Sequence, residues 1–227
     1  MRKNRKLTAG ILGAMALLLA TGSTLAYFTD KEQASNRITI GKVDITLTEP
    51  KWDALSESDK QNITPGKELV KDPTVTNTGI NDAFVFLKVK VPAAELVTAN
   101  ADGTKNKAAV HELYSWEVNT GWTQVGDSIN VTNEAGKIVG VEYLYVYGSR
   151  SACTSLAKNK VTPELFSSVT FLNVIEGQTL TDTTPLEEAE TVIDIQAFAI
   201  QTTDLTADDV TSPTEVWNVL SNQNKLS

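Results

Sequence analysis

Short segments of alternating apolar and polar side chains, separated by turn residues, constrain the fold of this sequence most. The clearest one runs from Ala83 to Val91, where Val85, Leu87 and Val89 share a face with Val91. A period of two residues is that of a β-strand with one buried face. Similar segments occur at residues 43–48, 141–147, 169–175 and 192–200. The sequence therefore predicts a chain built largely of strands.

Turn signals separate these segments at short intervals. Thr-Pro-Gly at 64–66 and Asn-Thr-Gly at 77–79 predict turns, and Pro92 is expected to end the strand that begins at Ala83. Asn-Thr-Gly at 119–121, between Trp116 and Trp122, predicts a hairpin, and Asn-Glu-Ala-Gly at 133–136 predicts a second. Gly41 lies where the apolar phase changes, which indicates a bulge or bend.

Two further patterns concern individual elements. Tyr143, Tyr145 and Tyr147 fall on one face of a predicted strand, and we interpret them as a half-buried face in preference to a ligand platform. Ser212, Pro213 and Glu215 form a helix start with a capping box. The helix would dock on the sheet. About eight to ten strands and one clear helix favour an antiparallel all-β sandwich.

The first 26 residues have the features of an export signal. Four cations precede an apolar run at residues 11–20, which is short for a transmembrane helix of about 20 residues. Thr24 and Ala26 fit a small-residue cleavage site, so cleavage is predicted after Ala26, with Tyr27 as the new N-terminus. The alternative is an uncleaved N-terminal anchor. The predicted organisation is a signal peptide at 1–26 and one domain at 27–227.

Charge and cysteine content limit the environment and the partners. Cleavage would remove four of the 20 Lys and Arg residues, which leaves 16 against 28 Asp and Glu and a formal charge of −12. A chain this acidic is not expected to bind nucleic acid, and after cleavage it is not expected to bind a membrane. Cys153 is the only cysteine, so no internal disulfide forms, and a partly buried, unreactive thiol is favoured over intermolecular pairing.

Groups for catalysis or cofactor binding are scarce. His111 is the only histidine, and Ser115 stands where a zinc-protease motif would need a second one. Cys153 and His111 could form a nucleophile pair only if the fold brought them together, and the sequence around Cys153 matches no known nucleophile motif. Glu187, Glu188 and Glu190 form an acidic cluster, which we interpret as solvent-exposed. We therefore predict no catalytic, cofactor-binding or metal-ligating residues and no cofactor. Calcium binding by Asp204, Asp208 and Asp209 is a less favoured alternative, because their spacing fits no EF-hand.

Several motifs, in order along the chain, resemble those of the TasA/camelysin family. They are Ala-Tyr-Phe-Thr-Asp at 26–30, Ile-Gly-Lys-Val-Asp-Ile at 40–45, Ile-Thr-Pro-Gly-Lys at 63–67, Thr-Asn-Thr-Gly at 76–79, Thr-Pro-Glu-Leu-Phe at 162–166, Ile-Gln-Ala-Phe-Ala-Ile-Gln at 195–201 and Glu-Val-Trp at 215–217. The resemblance covers nearly the whole chain. These are exported Gram-positive proteins processed by a signal peptidase of the SipW type.

The resemblance implies a jelly-roll-like antiparallel β-sandwich with one or two short helices, preceded by a signal-peptide helix. It also implies a secreted protein that self-assembles into extracellular fibres of a biofilm matrix, with minor matrix subunits as further partners. Because catalytic groups are scarce in this sequence, we predict that the protein is not an enzyme. In such fibres the N-terminal segment, here residues 27–37, adds as a strand to a neighbouring subunit. Tyr27, Phe28, Ile38 and Ile40 would supply the apolar side chains of that interface.

Three alternatives remain open at this point. The N-terminal segment could fold back onto its own sheet. The protein could be a surface adhesin that binds through the tyrosine row or the hairpin at 119–121. The third alternative is a secreted metalloprotease similar to camelysin, although this sequence offers no clear zinc site.

Overall fold

The structure is a computed structural model that describes residues 43–61, 63–175, 177–180, 184–186, 191–205 and 210–224. The described part contains the helices α1 (Pro50–Asp53) and α2 (Pro213–Asn224). Its strands are β1 (Ile45–Thr48), β2 (Glu68–Val70), β3 (Thr74–Asn77), β4 (Ala83–Leu96), β5 (Ala109–Glu112), β6 (Tyr114–Ser115), β7 (Trp122–Gln124), β8 (Ile129–Thr132), β9 (Ile138–Tyr147), β10 (Ser168–Phe171) and β11 (Asp194–Gln201).

The strands form three antiparallel sheets. The largest has the order β11-β4-β9-β7, with β8 pairing with β9 beside β7 and β5 pairing with the end of β4. A three-stranded sheet has the order β2-β10-β6, and β1 pairs with β3. The predicted all-β class with one or two short helices is confirmed. The predicted signal-peptide helix lies outside the described residues.

Alternation along β4 places side chains in two separate apolar clusters. Val85, Leu87, Val89 and Val91 face the main core, which includes residues of β2, β3, β6 and β10. Phe86 faces the opposite side, where α2 covers the sheet. The large sheet therefore carries a core on both faces, and the two faces of β4 follow the predicted alternation.

The prediction that Pro92 ends β4 is wrong. The strand continues to Leu96, but it changes partner at the proline: Pro92 is the last residue in register with β9, and residues 93–96 pair with β5. The carbonyl oxygen of Pro92 accepts a hydrogen bond from the Leu113 amide at 2.8 Å. A proline lacks only the amide proton, so it is tolerated where one ladder ends and another begins.

One predicted hairpin forms and the other does not. Residues 133–136 connect β8 to β9, and the Gly136 amide donates to the Asn133 carbonyl at 3.0 Å. Residues 119–121 form a turn, but the strands on either side of it pair with β10 and β9 and not with each other. The Asn119 side chain instead donates to Glu164 O and Ser167 Oγ, which fixes this turn between two sheets.

A polar cluster holds α1 on the β2–β3 segment. Asp72 is 1% exposed, and its carboxylate accepts the backbone amides of Lys51 and Trp52 at 3.0 and 3.1 Å. Lys71 Nζ lies 2.8 Å from Glu49 Oε2 and 4.9 Å from the centre of the Trp52 ring. The residues of α1 and those of the β2–β3 segment are about 20 positions apart in the sequence. These contacts therefore attach the start of the described chain to the sandwich.

The helix α2 begins and docks as its sequence predicts. It starts at Pro213 and buries Val216 and Leu220 completely or nearly so. The Trp217 ring lies 5.3 Å from Phe86 and 5.4 Å from Phe198, measured between ring centres. The apolar stripe of the helix therefore covers the second face of the large sheet.

Candidate assembly site

The described part of the chain begins at Val43, and the predicted interface residues all precede it. Ala26, Tyr27, Phe28, Ile38 and Ile40, which carry the predicted cleavage site and strand-donation interface, lie outside the described residues. Val43 leads directly into β1. The surface around Val43 is therefore the part of the described structure that bears on the predicted interface.

β11 is the end strand of the large sheet, and it is long. It pairs with β4 over eight consecutive positions, from Asp194 opposite Lys90 to Gln201 opposite Ala83. Within the residues that the structure describes, no strand pairs with its other side. β1 lies beside β11 but forms its ladder with β3. Within the described part of the chain the outer edge of β11 thus has no ladder partner, and an edge of this kind can pair with a further strand.

A small surface cleft lies at the end of this edge. Its volume is about 190 Å³. The lining residues are Val43, Ala199, Ile200, Gln201, Asp204 and Leu205. The described chain therefore begins beside the C-terminal end of β11.

The side chains of β11 alternate between the two cores. Ile195, Ala197 and Ala199 pack against the main core, and Phe198 and Ile200 belong to the cluster under α2. A strand added along this edge would have an apolar surface on both faces to extend. The sequence predicted the strand but not its edge position, because strand order depends on pairings that local patterns do not encode. The sequence offers one local signal of a strand that could accept a neighbour, which is its low charge: residues 194–201 carry a single charge, Asp194.

Cys153 and His111 do not form a catalytic pair. Cys153 is buried near Gly148, close to the Phe86 end of β4, whereas His111 pairs with Ala94 near the other end. The eight residue steps from Phe86 to Ala94 span about 26 Å at ~3.3 Å per residue. Burial raises the pKa of the Cys153 thiol to about 12, so the thiolate is scarce at neutral pH. This supports the interpretation of an unreactive thiol.

The surroundings of His111 do not fit a zinc site. The chain has one histidine, and its Nε2 is buried without a hydrogen-bond partner. The carboxylate of the next residue, Glu112, accepts the hydroxyl of Tyr143. Among the described residues no three His, Cys, Asp or Glu side chains are grouped so that they could hold a metal ion. Within the described part of the chain, His111 therefore lacks the set of co-ligands that zinc requires.

The other predicted metal and acidic groups are only partly described. Asp204 is described and has a positive φ of 59°, whereas Asp208 and Asp209 lie outside the described residues, as do Glu187, Glu188 and Glu190. The alternative of calcium binding at these aspartates stays a prediction.

The tyrosine row is a packed face of β9. Tyr145 is 3% exposed, and Tyr143 and Tyr147 are partly buried against the main core. Tyr143 donates to Glu112, and burial together with this bond raises the pKa of Tyr143 well above its usual range. The prediction of a half-buried face is confirmed.

The two tryptophans of the predicted adhesin hairpin are also packed. Trp122 is 5% exposed and donates to the Pro163 carbonyl at 2.9 Å. Trp116 donates to the Tyr145 hydroxyl at 3.2 Å, and its ring centre lies 5.4 Å from that of Phe166. The aromatic side chains proposed as a ligand platform are therefore used for packing.

Comparison with known families gives one match. The model of the camelysin metallo-endopeptidase family matches residues 2–145, more than half of the chain. The chain belongs to the camelysin family. This confirms the resemblance to TasA and camelysin. No curated protein and no solved structure matches the chain.

The camelysin family name describes a metallo-endopeptidase, whereas the donor set around His111 does not fit a metal centre. Within the described residues, no helix is long and apolar enough to cross a membrane. Among the described residues of this camelysin-family chain, the outer edge of β11 pairs with no strand.

Proposed function

We propose that this camelysin-family protein is a secreted structural subunit that self-assembles into extracellular matrix fibres. Family membership supports a secreted protein. The observation that carries the proposal is the end strand of the large sheet: among the described residues, the eight residues of β11 pair with β4 and with no strand on the other side. Strand addition requires such an edge together with a free extended peptide. Cleavage after Ala26 would provide such a segment, because it makes Tyr27 the free N-terminus of the chain.

Electron microscopy of the chain produced from Tyr27 onward tests the proposal. We expect fibres from this chain and none from a variant that lacks residues 27–36. Circular dichroism and a cooperative melting transition would show that the shortened chain still folds. Fibres from the shortened chain, or no fibres from the chain that begins at Tyr27, would contradict strand addition by the N-terminal segment.

The metallo-endopeptidase description of the family supports a second candidate function. A casein cleavage assay with and without a chelator separates it from the first, with His111→Ala as the variant. Chelator-sensitive activity that His111→Ala abolishes would favour the enzyme. We expect no activity above background in either protein, because the described residues around His111 do not form a metal-binding group.

A further inference from the structure

A second cleft lies at the β7 side of the large sheet, which is the opposite side from β11. Three segments enclose it: the turn after β7, the loop after β9 and the first residues of α2. Its volume is about 300 Å³. Small-molecule sites in proteins have volumes of about 300–1,000 Å³, so this cleft is large enough for a small ligand.

The floor of the cleft is apolar and its rim is polar. Val146 of β9 is fully buried, and Pro213 at the start of α2 is buried as well. Ser149 and Thr214 are exposed at the rim, where their hydroxyl groups can donate or accept hydrogen bonds. Apolar contact area combined with a few polar groups that orient the ligand is typical of binding sites.

Two opposite charges also line the cleft, those of Arg150 and Asp127. Arg150 is the one arginine among the described residues of this acidic chain. Within the part of the chain that the structure describes, neither side chain forms an ion pair or a hydrogen bond. The cleft therefore offers one cation and one anion to a ligand.

The ladder positions separate these two charges along β9. The Val125 amide donates to the Leu144 carbonyl at 2.8 Å, so the turn that carries Asp127 lies level with that part of the strand. Arg150 lies two residues beyond Gly148, which is four residue steps further along the chain. Four steps cover about 13 Å at ~3.3 Å per residue. The two charged groups thus approach the apolar floor from opposite ends.

The loop after β9 is fixed by contacts of its own backbone. The Ser149 amide donates to the Ala152 carbonyl at 2.9 Å, and a Cβ atom at Gly148 would lie only 2.5 Å from that carbonyl oxygen. The Cys153 amide donates to the Thr211 carbonyl at 2.8 Å, just before α2. Because the loop is bonded to the segment that leads into α2, two walls of the cleft are held together.

The arrangement fits a ligand that carries both charges some distance apart. An arginine binds a carboxylate through two parallel hydrogen bonds, and an aspartate accepts hydrogen bonds from an ammonium group. A polyanion would meet the carboxylate of Asp127, and a polycation would meet Arg150. An extended peptide spans at most ~3.3–3.6 Å per residue, so the free ends of a peptide of three residues are about 10 Å apart.

We infer that this cleft binds a short peptide with free ends, about three residues long. Its terminal carboxylate contacts Arg150, its terminal ammonium group contacts Asp127, and its middle residue packs over Val146 and Pro213. The site lies on the opposite side of the sheet from β11, so the inference goes beyond the proposed fibre function and does not depend on it.

Equilibrium dialysis of the mature chain against radiolabelled trialanine at neutral pH tests the inference, and it works whether or not the chain is assembled. We expect saturable binding that Arg150→Gln and Asp127→Asn each weaken by about tenfold, because each removes a charge-assisted hydrogen bond. Lys158→Gln and Glu134→Gln remove the same charges at exposed positions outside the cleft and should leave the affinity unchanged. Circular dichroism confirms that the variants fold.

Two capped peptides test the orientation of the ligand. N-acetyl-trialanine lacks the ammonium group, so Asp127→Asn should not weaken its binding further. The trialanine amide lacks the carboxylate, so Arg150→Gln should not weaken its binding further. The inference is overturned if trialanine shows no saturable binding, if the cleft variants bind it as the two control variants do, or if the capped peptides bind as tightly as trialanine.

Discussion

At the scale of single residues, the buried carboxylate of Asp72 is the most consequential polar group in the described structure. It lies more than 18 residues from the helix that it holds, and it accepts two backbone amides of α1. A buried ionised acceptor that loses its charge leaves its donors poorly satisfied.

We therefore expect Asp72→Asn to lower the free energy of unfolding by about 2 kcal/mol, since the amide supplies one neutral acceptor for two backbone donors. Urea denaturation followed by tryptophan fluorescence measures the change. Asp53→Asn, an exposed position on the same helix, is the control and should stay within about 0.5 kcal/mol of the parent. Equal effects of the two substitutions would show that the buried carboxylate does not hold α1.

At the scale of elements, α2 is a separate layer that depends on a few apolar contacts. Val216 and Leu220 are buried, and Trp217 packs between Phe86 and Phe198. Helices of this length gain most of their stability from such packing and little from helix propensity. Loss of α2 would expose the phenylalanine side of the large sheet.

Leu220→Ala should destabilise the fold by roughly 2–4 kcal/mol, because a buried leucine is removed from a packed site. Thermal melting by circular dichroism measures this loss, with the exposed Asn218→Ala as the control. If Leu220→Ala melts at the temperature of the control, α2 is not packed on the sheet as described.

Sequence patterns predicted the elements better than their pairing. The alternation at 83–91, the turn at 133–136 and the helix start at Pro213 depend on a few neighbouring residues, so local sequence patterns predict them. The course of β4 beyond Pro92 and the separation of Trp116 from Trp122 depend on distant partners. The same holds for Asp72 and for the edge position of β11, since no local pattern specifies which strands become neighbours.

At the scale of the whole molecule, the proposed strand addition at the edge of β11 is a head-to-tail contact, which predicts growth that continues without closure. A subunit that lacks residues 27–36 would keep the β11 edge and lose the donated strand. Such a subunit can accept a strand but cannot donate one. It should act as a terminator of growing fibres.

We expect small amounts of the shortened chain, added to the mature chain, to shorten fibres in proportion to the fraction added. Fibre length measured by electron microscopy gives the result. An equal amount of bovine serum albumin controls for crowding. Unchanged fibre length would contradict a β11 edge that is open in the shortened subunit.

The long β4 also has a consequence for the order in which the protein folds. Its N-terminal half pairs with β11, so Ala83 meets Gln201, 118 residues later in the chain. Pairings between such distant segments form slowly, because a long loop must close first. The largest sheet is complete only after the chain has been made through residue 201. We therefore expect the large sheet to be incomplete while the chain is being made, which would suit export of an unfolded chain if the protein is secreted as proposed.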